Sequence, residues 1–81
     1  MIVRVRLFAR AKDLAGTDVV SVDVALNARV ADLRRRLADH VPALAPLLAR
    51  SALAVNEEFA RDDQLLSPGA EVALLPPVSG G

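Results

Sequence analysis

The chain opens on IVRVRLFA, in which sides alternate strictly: Val3, Val5 and Leu7 fall on one, Ile2, Arg4, Arg6 and Phe8 on the other. A period of two marks an extended strand with one face on a core. VVSVDV repeats it with Val20, Val22 and Val24 inward, and the intervening KDLAGTD supplies Gly16 and two acids for a turn. The two runs read as an antiparallel hairpin with a loop longer than the tightest turns. From about Asn27 the period changes. Val30, Leu33, Leu37 and Val41 recur at steps of three and four, as one face of a helix does. Asn27 is the candidate cap, and Pro42 ends the helix.

PALAPLLARS is interrupted by Pro46 and reads as irregular or as a short broken helix. After it, ALAVN predicts a third strand, NEE a turn, and FA a very short fourth or edge strand. In DDQLLSPGA, Pro68 and Gly69 suit adjacent turn positions. EVALLP alternates again, with Val72 and Leu74 inward and Glu71, Ala73 and Leu75 outward, and runs straight into the closing LLPPVSGG. Two strands, a helix and two or three more strands predict an α+β domain in which a sheet wraps one helix. The domain is expected over residues 1–75, followed by a flexible tail over 76–81. No internal repeat or low-complexity linker is visible.

Composition narrows the functions available. At 81 residues, 53% of them apolar and 25% charged, the chain suits one packed core and not disorder. Ten basic residues against ten acidic ones give no global field for nucleic acid or an anionic membrane. Without cysteine there is no disulfide, no thiolate zinc site and no thiol nucleophile, and His40 alone cannot hold a metal. The N-terminal MIVRVRLFAR lacks the continuous apolar run of a signal peptide or membrane span, so a soluble, cytoplasmic protein is expected.

Large apolar side chains on outward positions are the first candidates for function. Phe8 and Phe59 are the only aromatics, and Leu75 points away from Val72 and Leu74. If the edge strand and the last strand neighbour the first, these three form one exposed apolar patch at the base of the tail. Alternatively, the two phenylalanines close the ends of the core. Arg34 to Arg36 spread over more than half a helix circumference and read as a solvated face or a contact for an acidic partner. His40 complements the negative end of the helix dipole. Lys12 is either a solvated loop lysine or a rim contact. Glu57–Glu58 and Asp62–Asp63 fall in turns, where solvation accounts for them.

Taken in order across nearly the whole chain, LFARAKDLAGTD, AVNEEFA and PGAEVALLPPVSGG resemble the small subunits of molybdopterin synthase, a family of ubiquitin-like, β-grasp sulfur carriers. The chain departs from the family at Arg29, where a threonine helix cap is frequent. It also departs at Leu75, in place of an aromatic before the proline pair, and at Phe59, where leucine is common. The resemblance implies a mixed sheet of four to five strands around one main helix. It implies that Gly81 is adenylated by an ATP-dependent adenylyltransferase, turned into a thiocarboxylate by a sulfur donor, and used as a sulfur source by the large subunit of molybdopterin synthase. That subunit holds cyclic pyranopterin monophosphate, and two carriers sit on a dimer of large subunits. Gly80 and Gly81 would thread a narrow channel. Phe8, Lys12, Phe59, Leu75, Pro76, Pro77 and Val78 would meet the partners. The protein itself would be a non-catalytic, sulfur-donating subunit without a cofactor or metal. Two rival readings share the tail. One is a carrier for thiamine, tungsten cofactor or tRNA thiolation. The other is a protein-conjugating modifier, for which Lys12, the only lysine, excludes chains branched through several lysines.

Overall fold

The computed structural model describes residues 1–77. Strand β1 (Ile2–Leu7) buries Val3, Val5 and Leu7 and exposes the residues between them, as its alternation requires. It pairs antiparallel with β2 (Val19–Asp23) and parallel with β5 (Glu71–Leu75). On its far side β5 pairs antiparallel with β3 (Ala52–Val55), which carries the two-residue β4 (Glu58–Phe59) at the sheet edge. The order β2-β1-β5-β3-β4 puts the first and last strands side by side in the middle of a mixed sheet. Helix α2 (Val30–His40) contributes Val30, Leu33 and Leu37 to the core that Val5, Leu53, Val72 and Leu74 supply from the sheet. This is the α+β arrangement that the hydrophobic pattern predicts and the β-grasp that the resemblance implies.

Several local expectations are corrected. KDLAGTD is not a simple turn, because Ala9–Ala15 forms a helix, α1, between β1 and β2. ARAKDLA is rich in strong helix formers, and Ala11 is fully buried. Gly16 does punctuate the connection, but as the end of this helix: at φ 72° it donates its N–H to the Lys12 carbonyl at 2.9 Å. The strand pairing of the hairpin survives the inserted helix.

The second correction concerns the start of α2, which is capped at Arg29 and not at Asn27. Arginine offers no acceptor, so the cap is built from elsewhere. The Asp32 carboxylate accepts the Arg29 backbone N–H at 2.8 Å. The free N–H groups of Val30 and Ala31 reach the carbonyls of Gln64 and Asp62, both at 2.9 Å. A loop far along the chain thus supplies what a local side chain usually gives.

PALAPLLARS resolves into a 3-10 turn, Pro42–Leu44, and a short helix α3, Ala45–Leu48, with Pro46 in its first turn where the missing N–H costs nothing. Leu44, Leu47 and Leu48 are buried. The arginine run divides. Arg35 and Arg36 are exposed, whereas the Arg34 side chain is 22% exposed and reaches across to this segment. Arg34 donates to the Leu48 carbonyl, to the Ser51 carbonyl at 2.8 Å, and to the Asp62 carboxylate at 3.2 Å. It is a structural brace and not a solvated side chain. Among the described residues, no helix is long and apolar enough to cross a membrane, and no group of three or more His, Cys, Asp or Glu could hold a metal ion.

Candidate functional site: the outer face of the sheet

Residues directly opposite one another in paired strands share a face, so the strand registers define rows across the sheet. Phe59 faces Ala54, Ala54 faces Ala73, and Ala73 faces Arg6, giving one continuous row on the side away from α2. The next row toward the tail contains Leu75 opposite Ala52. Leu7 pairs with Leu74, so the residues that follow them, Phe8 and Leu75, leave the β1–β5 pair side by side.

The alanines matter because of their size. Ala54 points outward yet is only 8% exposed, and Ala73 and Ala52 are half-buried. They form a low apolar floor between larger side chains. Phe8 is 45% and Phe59 77% exposed, so the two phenylalanines do not close the ends of the core; they stand up from this face. A cleft of about 340 Å³ whose lining includes Arg6, Phe8, Ala54, Glu57, Glu71 and Ala73 opens beside Phe8 on this face.

Backbone geometry sets Phe8 in place. Phe8 is extended at φ −129° and accepts the Ala11 N–H on its carbonyl at 3.1 Å, so it serves as the cap residue of α1. Ala9 then turns the chain at φ 51°, a left-handed conformation rare for a residue with a side chain. The switch from strand to helix is made in that single residue. At the other wall, Asn56 and Glu57 at φ 51° and 71° form the tight turn that returns β4 alongside β3.

The predicted site residues therefore fall into three groups. Phe8, Phe59 and Leu75 share one face, but only Phe8 and Leu75 are side by side: the edge strand β4 does not neighbour β1, and β5 and β3 lie between Phe59 and Phe8. Lys12 lies on α1, not in a loop, is exposed, and lines a second cleft of about 270 Å³ with Arg6, Phe8 and Asp18. Pro76, half-buried, and Pro77, exposed, continue directly from β5. Val78, Gly80 and Gly81 lie outside the described residues. His40 is the exposed last residue of α2 and lies by the β2 edge of the sheet, where it shares a cleft with Ile2, Ser21 and Asp39. Sequence reasoning named Arg6 as outward-facing but gave it no role, gave none to Ala73 although it too was read as outward, and placed Ala54 in a strand without assigning it a face. The signal of the two alanines was present as small apolar residues in two predicted strands.

Comparison with known proteins gives the family and the fold of the chain. The ThiS family pattern matches residues 5–81. The chain is similar to the molybdopterin synthase sulfur carrier subunit of Dictyostelium discoideum, at 36% identity over 81 residues, covering 96% of this chain and 94% of that protein. Among solved structures, the small archaeal modifier protein 1 of Haloferax volcanii superposes with a TM-score of 0.86 at 32% identity, covering 95% of this chain and 98% of that one. A chain of the complex between subunits 1 and 2 of the molybdopterin-converting factor from Helicobacter pylori superposes with a TM-score of 0.70 at 26% identity, covering 100% of each.

Proposed function

Because this chain belongs to the ThiS family, we propose that it is the sulfur carrier subunit of a molybdopterin synthase, with Gly81 as the carrying residue. A carboxylate in water is a poor electrophile. Adenylation by an ATP-dependent activating enzyme gives the Gly81 carbonyl a good leaving group, and a sulfur donor then displaces AMP to leave a thiocarboxylate. That sulfur is anionic at neutral pH and nucleophilic as thiolates are. It would be delivered to cyclic pyranopterin monophosphate held by the large subunit, where it builds the dithiolene. Two carriers would serve one dimer of large subunits.

The observation that supports this reading best is the position of the apolar face at the foot of the tail. Leu75 belongs to the face and to the last strand at once, and Pro76 follows it immediately. A partner that covers Phe8, Phe59 and Leu75 therefore fixes the origin of the tail. From Leu75 the remaining residues reach at most about 20 Å, enough to place the Gly81 carbonyl inside the partner while the face docks outside. Pro76 and Pro77 restrict the intervening chain and lower the entropy lost on threading. Gly80 and Gly81, without side chains, suit a narrow channel. The activating enzyme would use the same face, so the two partners would compete for it.

The test is co-expression with the cognate activating enzyme and a sulfur donor, followed by intact-mass spectrometry. Exchange of one oxygen for sulfur on the chain is expected. Recovery of carboxylate alone, where a known carrier is thiolated in parallel, sinks the proposal. A second reading, attachment of the activated Gly81 to other proteins, draws on the likeness to small archaeal modifier protein 1. It shares the activation step and differs in the acceptor, so dithiolene formation with the large subunit separates the two.

A further inference from the structure

Arg6 sits in the middle of the outer face, in one row with Phe59, Ala54 and Ala73, and it lines the clefts on both the Phe8–Ala54 and the Phe8–Lys12 sides. Most arginines elsewhere in the molecule are satisfied within the chain. Arg29 donates to the Asp63 carbonyl, Arg36 to the Asp23 carbonyl, and Arg34, Arg35 and Arg61 form ion pairs with Asp62, Asp32 and Asp63. Arg4, Arg6, Arg10, Lys12 and Arg50 have no side-chain acceptor among the described residues, and of these Arg4 and Arg6 stand on the outer sheet face. Glu57 and Glu71 line the cleft that Arg6 lines, yet neither forms an ion pair with it.

In the free chain water solvates Arg6 and no partner is needed. Docking changes that. The row around Arg6 is apolar, so a partner that covers Phe59, Ala54 and Ala73 also removes water from the guanidinium. A guanidinium cannot escape burial by losing its proton, and a buried cation without an anion is strongly unfavourable. The chain's own solution at its half-buried arginine is instructive, because Arg34 takes the Asp62 carboxylate in addition to two backbone carbonyls. A planar fork of donors matches a carboxylate in bidentate fashion.

We infer that the surface receiving this face presents a carboxylate opposite Arg6, and that this pair sets which partner the carrier accepts. Apolar contacts at Phe8, Phe59 and Leu75 supply area but discriminate weakly between greasy surfaces. A cation at the centre rejects any partner that lacks an anion at the matching point. The inference rests on the reading of the outer face as the docking face of the carrier.

The experiment measures affinity for the cognate large subunit at salt concentrations from about 50 to about 500 mM, a range over which exposed charge pairs are progressively screened. Wild type, Arg6→Met, Arg6→Lys and Phe59→Ala are compared, with a thermal melt of each to establish folding. Arg6→Met keeps the reach and the apolar stem but removes the charge. It is expected to weaken binding roughly 30-fold or more, because it leaves the partner's carboxylate buried and unpaired. It should also flatten the salt dependence, and Arg6→Lys should recover part of the loss. Folded Arg6→Met that binds within about threefold of wild type with unchanged salt dependence overturns the inference. The two failures are distinguishable. If Phe59→Ala weakens binding and Arg6→Met does not, only the carboxylate is wrong; if neither does, the docking face itself is elsewhere.

Discussion

Phe59 lies directly across from Ala54 in the β3–β4 pair, a large exposed aromatic beside a buried alanine on the same side of the sheet. The small residue makes the large one prominent. With 77% of its surface in water, Phe59 contributes little to the folded core, so Phe59→Ala should change unfolding stability by no more than about 0.5 kcal/mol. It should weaken binding to the large subunit by about 2 kcal/mol, as loss of an aromatic anchor does. Leu75 is half-buried and belongs to both surfaces. Leu75→Ala should show a similar binding loss together with a stability loss of about 1 kcal/mol. Calorimetric titration and urea unfolding on the same samples check both values, and a stability loss without a binding loss would return both side chains to the core.

Arg34 gives a prediction of the opposite kind. Its guanidinium holds the carbonyls of Leu48 and Ser51, where the chain leaves α3 for β3, and also the Asp62 carboxylate of the loop that caps α2. Truncation leaves those carbonyls without their donor and unties two segments at once. Arg34→Ala should cost about 2–3 kcal/mol in urea unfolding. Arg35→Ala, which loses one exposed ion pair to Asp32, should cost less than about 0.5 kcal/mol. Equal effects from the two would mean that the brace carries no weight.

These two arginines mark where the sequence was readable. Period-two alternation located every long strand because a strand with one buried face must alternate, and Val72 and Leu74 turned inward as that rule requires. The helix α2 was visible through Val30, Leu33 and Leu37 for the corresponding reason. The distinction between Arg34 and Arg35 was not visible, since both occupy the same run and only the approach of α3 separates them. In α1, seven residues including Ala9, Ala11 and Ala15 had helix propensity, but with one buried position they lack the repeating apolar stripe that announces a helix. The site was legible in its parts. Phe8 and Leu75 could be read as outward and Phe59 only as following a polar turn; that Phe8 and Leu75 lie side by side depended on β1 lying beside β5, a parallel contact of strands far apart in sequence, and Phe59 joins their face only through β3 and β4.

Asp32 substitutes for the missing cap at Arg29 by accepting its backbone N–H at 2.8 Å and placing a negative charge in the first turn of α2. Asp32→Ala should lower stability by about 1 kcal/mol. Restoring a side-chain acceptor at the cap position with Arg29→Thr in the same background should recover part of that loss. Chemical denaturation of the single and double variants measures it, and an unchanged midpoint for Asp32→Ala would show that the loop carbonyls of Asp62 and Gln64 cap the helix unaided.

Removal of Gly81 separates docking from delivery. The contacts proposed for docking, Phe8, Phe59 and Leu75, precede the tail, so a chain shortened by one residue should melt as wild type does and bind the large subunit with unchanged affinity. Its reactive carbon, however, is drawn back by about 3.5 Å. Catalysis tolerates such displacement poorly, since a misplacement of about 1 Å can cost roughly 100-fold in rate. Chemically prepared thiocarboxylates of the full-length and shortened chains, each reconstituted with the large subunit and cyclic pyranopterin monophosphate, should therefore differ at least that much in dithiolene formation while matching in affinity. Equal rates would mean that the terminal glycine does not position the sulfur. Equal losses of rate and affinity would mean that the tail holds the complex together instead of threading through it, and the division between a docking face and a delivering tail would have to be given up.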